Sequence, residues 1–221
     1  KARAKLEMPG TIRKLLEDRA AGLSQKVTEL QIDKLREQMP QQRALRKREL
    51  AQLEEIVATL PALIQGYDYS RVVGMLRDIR FESPEVQGAL EGQRYLYEQA
   101  QAFLLQLFAD IAKSGYQGKV YRREGSMLEG KVTAADLEKL TITLDRGSIT
   151  IPLDTVLPET LLHAMQFYTQ QVTDSAEYYQ RQERIAVFAR VSGLHSLSAT
   201  VAAQLMEENR EFRLRWMKVV Q

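Results

Sequence analysis

The hydrophobic period of this chain changes twice, and that change limits the folds open to it. Between residues 118 and 154 apolar and polar positions alternate. Leu128, Gly130 and Val132 interleave with Glu129, Lys131 and Thr133; Leu140, Ile142 and Leu144 with Thr141 and Thr143; Ile149, Ile151 and Leu153 with Thr150 and Pro152. A period of two gives each strand one buried face. A further strand is expected at Lys119–Arg122, followed by a turn at Gly125. Asp145-Arg146-Gly147 suits a short hairpin, with Gly147 free to take a positive φ, and Pro152 marks an edge or strand end. Four such strands are too few for a sandwich, so the sheet must dock on helices. The fold class is therefore α+β and predominantly α-helical: helical hairpins with a small antiparallel β meander inserted at about 118–154.

On both sides of the meander the spacing is helical. Thr11 can cap a helix over 11–39, in which Leu16, Leu23 and Leu30 recur every seven residues beside Ile12, Val27 and Leu35. Pro40 should stop it, and a second helix from about Gln42 carries Leu53, Ile56, Leu60 and Leu63. Residues 1–66 thus read as a helical hairpin or coiled-coil arm. Pro61 either kinks that second stretch or restarts it, and Asp68, after the break at Gly66, caps the next helix.

Ser83-Pro84 opens a long helix through Val86, Leu90, Tyr97, Phe103, Leu107 and Ile111, completing the helical segment 67–117. Gly88 and Gly92 on it offer room for another backbone. In the C-terminal helical segment, 155–221, Pro158 begins one helix and the Asp174/Glu177 capping box another. A last helix from about Ser196 keeps its interval through Leu205, Phe212 and Trp216.

Opposite charges nearly cancel, 31 Lys and Arg against 29 Asp and Glu, so no whole-molecule field draws the chain to nucleic acid or anionic lipid. Any such partner needs a local patch. The absence of cysteine excludes disulfides, thiolate metal ligands and a cysteine nucleophile, and suits cytosol and periplasm equally. No apolar run approaches the roughly 20 residues of a membrane span. The opening Lys1-Ala2-Arg3, with no initiating Met, is expected of a piece of something longer.

Two segments, Ile56–Ile79 around Gly66-Tyr67-Asp68-Tyr69 and Tyr178–Phe212 around Gly193-Leu194, resemble tetratricopeptide (TPR-like) helix–turn–helix units. The stretch around Leu128-Glu129-Gly130-Lys131-Val132 and Gly147-Ser148-Ile149 resembles a small SH3-like or Sm-like module. Together they are similar to accessory regions of large bacterial multidomain proteins, including those attached to serine/threonine kinases. That resemblance implies an interaction role.

Motifs for catalysis are missing. His163 and His195 have no second ligand at metal spacing, and neither a metal nor a cofactor site is expected. Ser126 and Ser148 sit beside glycines without a Gly-x-Ser-x-Gly elbow or a phosphate loop. Asp136, Glu138 and Asp145 read as solvated turn acids. The run Arg43, Arg46, Lys47 and Arg48 is followed by Glu49, Glu54 and Glu55, the pattern of a salt-bridged helix face.

Lys119, Arg122, Arg123 and Lys131, with Tyr116 and Tyr121, combine cations and rings as nucleic-acid-binding barrels do. Tyr168, Tyr178 and Tyr179 crowd one turn and are candidate protein contacts. Trp216 reads as a packing anchor. The expected function is non-enzymatic: a protein-interaction or scaffolding module that self-associates through its N-terminal helices. Nucleic-acid binding by the β module is the alternative.

Overall fold

The computed structural model describes residues 10–220. It divides into two units, residues 1–49 and 50–221.

The first unit consists of α1 (Gly10–Ala58), whose last turns fall in the second. The helix runs through Pro40, so of the helical hairpin or coiled-coil arm expected over 1–66, the hairpin turn at Pro40 is absent. Proline removes one N–H from the ladder, but a stop also needs residues that leave the helix. The ten that follow, Gln41 to Leu50, contain no Gly, Asn, Asp or Ser and are good helix formers. Of the expected heptad stripe, Leu23 and Val27 are 62% and 52% exposed. The side chains of Ile12, Leu16, Leu30 and Leu35 lie outside the described ones.

In the second unit Pro61 does restart the chain, as the first residue of α2 (Pro61–Gln65). Asp68 caps α3 (Tyr69–Arg77) by accepting the Arg71 N–H. At the break between them Gly66 stays at a φ of −83°, while Tyr67 takes a positive φ, 60°. That conformation costs a non-glycine residue on the order of 1 kcal/mol. Burial offsets it, since Tyr67 is 2% exposed and its Oη donates to the Val156 carbonyl at 2.8 Å.

The longest element of this unit, α4 (Pro84–Ser114), buries Leu90, Tyr97, Phe103, Leu104, Leu107 and Ile111. The chain then enters a four-stranded antiparallel meander in the order β1 (Tyr116–Tyr121), β2 (Met127–Ala135), β3 (Lys139–Leu144), β4 (Gly147–Pro152). One face carries Val120, Val132, Leu140, Ile142 and Ile151 into the core. The other shows Lys119, Tyr121, Lys131, Thr141 and Thr150, all but the half-buried Thr141 exposed. An irregularity between Val132 and Ala134 shifts the β2–β3 register by one.

After β4 a single 3-10 turn, Leu153–Thr155, brings the chain back along β1. Arg122 bridges Val156, the Arg123 N–H donates to Thr155 O at 2.8 Å, and the Leu157 N–H donates to Tyr121 O at 2.9 Å. The C-terminal end of the β1 edge is thereby covered. The sheet docks on α4 and α5 (Pro158–Thr169) through β2 and β1.

The last elements are α6 (Ser175–Val191), α7 (His195–Glu208) and α8 (Arg210–Val220). Asp174 accepts the Glu177 N–H at 2.8 Å, the expected cap of α6. The single final helix of the sequence reading is two helices, because Asn209 leaves helical geometry and its Oδ1 caps α8 at the Phe212 N–H. Val72 and Leu76 of α3 share one core with Ile185 and Phe188 of α6 and with the sheet. A second cluster joins Leu96, Val187, Leu205, Phe212 and Trp216 beneath α8.

Gly92 is where α4 admits α8. A Cβ there would sit 3.1 Å from the Lys218 carbonyl oxygen, whereas Gly88 has nothing within 4 Å. Gly92→Val should dislodge α8 and cost about 1–3 kcal/mol. Trp216 is the only tryptophan and is 5% exposed, so its emission should move to longer wavelength while far-ultraviolet ellipticity is largely kept.

Candidate functional site

Four segments converge on an open groove of about 360 Å³ in the second unit. Pro61 and Ile64 of α2, Pro158 at the start of α5 and Val191 at the end of α6 form its apolar walls, and Arg123 stands at its rim. Proline fixes φ, and Pro61 and Pro158 both sit in first helical turns, so two walls are rigid.

Arg123 is held by three uncharged groups. Its Nε donates to Asp154 O at 2.8 Å, its Nη2 donates to Gln65 O at 3.1 Å, and its guanidinium lies 5.5 Å from the Tyr67 ring centroid. The same tyrosine is bonded to Val156, so Tyr67 and Arg123 together staple the β module to the α2–α3 turn. Burial pushes the Tyr67 phenol well above its ordinary value, against the opposing pull of Arg123. It is a neutral donor throughout the physiological range.

A second concavity, about 380 Å³, lies beside the α5–α6 turn and is polar. At its base Arg181, with a side chain only 6% exposed, makes a 2.5 Å ion pair to Asp110 of α4 and a 2.8 Å pair to Glu177 one turn earlier on α6. Tyr168 closes one side by donating to Gly115 O at 2.6 Å. Further along the same seam Glu183 accepts from Tyr95 at 2.8 Å and from Arg215 at 2.7 Å. Burial first, then the Glu183 charge, raises the Tyr95 phenol far above its usual range.

These charged pairs were absent from the sequence reading, although a signal was there. Arg181 precedes Ile185 and Phe188 on one helical stripe, and Arg94 falls between Leu90 and Tyr97 on another. A cation on an apolar stripe needs a partner. Arg94 finds carbonyls at the end of α3, donating to Leu76 O at 2.6 Å and Ile79 O at 2.5 Å.

The structure separates the tyrosines that crowd together in sequence. Tyr168 is buried against Gly115, whereas Tyr178 and Tyr179 are half-buried on α6 with ring centroids 5.8 Å apart. It also splits the basic group of the β module. Lys119, Tyr121 and Lys131 share the outer face, with Glu129 directly opposite Lys119. Arg122 and Arg123 lie beyond the end of β1, Arg122 paired with Glu124 at 2.5 Å and Arg123 bonded as above.

The remaining residues fall in simpler places. Asp136 accepts the N–H groups of Glu138 and Lys139 at 2.9 Å each, which holds its carboxyl below the ordinary carboxylate value and closes the β2–β3 turn. Glu138 and Asp145 are exposed turn residues, as are His163 on α5 and His195 at the start of α7 on their helices. Ser126 donates to Glu124, and Ser148 joins Thr143 in a row of hydroxyls across the sheet. Arg43, Arg46, Lys47 and Arg48 are exposed on α1. Among the described residues no three His, Cys, Asp or Glu side chains are placed to hold a metal, and no helix is long and apolar enough to cross a membrane.

No protein-family model, curated protein or solved structure matches the chain. Neither the TPR-like nor the SH3-like resemblance gains support from such a match.

Asp110→Ala removes the principal partner of a buried cation and should cost about 3 kcal/mol. Glu177 is 46% exposed, so Glu177→Ala should cost less than about 1 kcal/mol. Denaturant unfolding of both variants checks the order.

Proposed function

We propose that this chain is a non-enzymatic protein-interaction module that associates with a second copy of itself through α1. The observation that carries the reading is the exposure of Leu23 and Val27, 62% and 52%, one turn apart on a 49-residue helix. Water gains by their removal, at roughly 25 cal/mol per Å² of apolar area buried. They belong to the heptad stripe that begins at Leu16 and passes Leu30, and a seven-residue apolar repeat is the pattern by which two helices bury one another.

The architecture of the second unit supports an accessory role. Its α2–α3 and α6–α7 pairs are helix–turn–helix units, consistent with TPR-like packing. The meander, the 3-10 turn and the rung back onto β1 are consistent with an SH3-like module.

A second reading, nucleic-acid binding, draws on the outer sheet face, where Lys119, Lys131 and Lys139 accompany Tyr121. It lost Arg122 and Arg123 to other partners. Such binding would weaken steeply with salt and with Lys119→Ala.

A double variant, Leu23→Glu with Val27→Glu, places charge on the stripe without touching the second unit. Light scattering of the full chain should give a dimer for the parent and a monomer for the variant. A parent that is monomeric at all concentrations, or a variant that stays dimeric, removes the reading.

A further inference from the structure

We propose that the outer edge of β4 pairs with the same edge of a second copy, the two strands running antiparallel about Ile149 and joining two four-stranded meanders into one sheet. This contact is separate from α1, and the inference does not rest on association through that helix.

The hydrogen-bond ladder defines which groups are open. β4 lies at the end of the strand order and pairs with β3 alone. The Leu153 N–H donates to Glu138 O, and ladder bonds recur at every second residue, so Ile149 and Ile151 turn their backbone groups to β3 while Ser148, Thr150 and Pro152 turn theirs outward. At Pro152 the edge is closed: it has no N–H, and its carbonyl accepts the Thr155 hydroxyl at 2.7 Å. Ser148 and Thr150 are exposed, and among the described residues their backbone N–H and C=O groups have no partner. Edges are commonly blunted by a lysine or a bulge. Here the β3–β4 register is unbroken and Ser148-Ile149-Thr150 is uncharged.

Self-complementarity selects the occupant. With Ile149 on a two-fold axis, Ser148 of each copy stands opposite Thr150 of the other and the two exchange both bonds, so every open group finds a partner and none is left over. A foreign strand that ran on past Thr150 would meet Pro152, which offers no donor and an occupied carbonyl. The side chains agree with this register. The sheet docks on helices through β1 and β2, and Ile149 is left half-buried on the core-facing side of β4. Pairing sets the two Ile149 side chains directly opposite one another, in the pair type where side chains approach most closely. It also carries Arg146 of each hairpin turn toward the exposed Asp154 of the other copy. So short a ladder buries far less than the roughly 1,200 Å² of a stable interface. A dissociation constant on the order of 1 mM follows, so the contact adds to association through α1 and does not populate a dimer in dilute solution by itself.

The test uses the full chain, isotopically labelled and carrying Leu23→Glu with Val27→Glu, so that association through α1 does not contribute and the two interfaces are read separately. Raising its concentration from about 0.05 to about 2 mM should shift the Ser148, Ile149 and Thr150 amides along a saturable curve. Thr150→Pro removes an outward N–H and no bond to β3, a change an edge strand tolerates, and should abolish those shifts. Ser148→Lys, at an exposed position, serves as a second variant and should weaken the association at least about tenfold. Edge amides that ignore concentration, or shifts that persist unchanged in both variants, would overturn the proposal. An edge that ignores concentration yet shifts with an added extended peptide, acetyl-Val-Lys-Val-Glu-Val-amide, would assign it to a foreign strand and overturn the proposal equally.

Discussion

Phe103 of α4 stacks on Phe188 of α6 with ring centroids 4.0 Å apart and planes 9° from parallel, and the second unit is organised around that contact. Tyr67 stacks on the same Phe188 at 6.1 Å, Tyr69 meets it edge-on at 6.2 Å, and Tyr97 stacks on Tyr69. Rings of this size bury more area than any aliphatic side chain and prefer a few relative orientations. Four elements thus converge on one aromatic cluster: the α2–α3 turn, α3, α4 and α6. Tyr67 can hold a positive φ only because the cluster and Val156 hold its ring. Through Val156 the same residue ties the β module into the helical body.

Around the cluster, polar pairs set the register of the helices. Phe103 and Phe188 alone would tolerate some sliding of α4 along α6. Arg181 on Asp110 and Tyr95 on Glu183 fix two points along the seam. Each is a buried or half-buried group whose loss leaves its partner without compensation, so a displaced register is disfavoured more strongly than the native pairs are favoured. Arg94 acts likewise on the carbonyls that end α3.

Much of this fold can be read from residue patterns. Alternation located the strands, Pro61, Pro84 and Pro158 located helix starts, and Asp68 and Asp174 were recognisable caps, because each of these signals acts within a few residues. The misreadings share a cause. Pro40 reads as a stop, yet none of the ten residues after it favours leaving a helix. Asn209 lies inside a continuous apolar interval that hides it, although its side chain caps α8. Both outcomes depend on neighbours that a single residue's preference does not include. The groove was less legible still: its walls come from residues 61, 64, 158 and 191, and Arg123 resembled any strand-end cation until Asp154, Gln65 and Tyr67 surrounded it. Pairings across such sequence separations are made by the topology, not by local pattern.

The two units divide the work between them. Residues 50–221 hold a core crossed by polar pairs, and residues 1–49 carry a helix with exposed Leu23 and Val27. The absence of cysteine permits a direct examination of that helix. Lys26→Cys introduces one thiol at an exposed position near the middle of the stripe, where parallel and antiparallel pairs both bring the two copies together. Pulsed dipolar spectroscopy on the spin-labelled full chain should resolve an inter-chain distance within two helix diameters, about 20–24 Å. An absence of inter-chain coupling at concentrations where a dimer is populated would contradict association through α1.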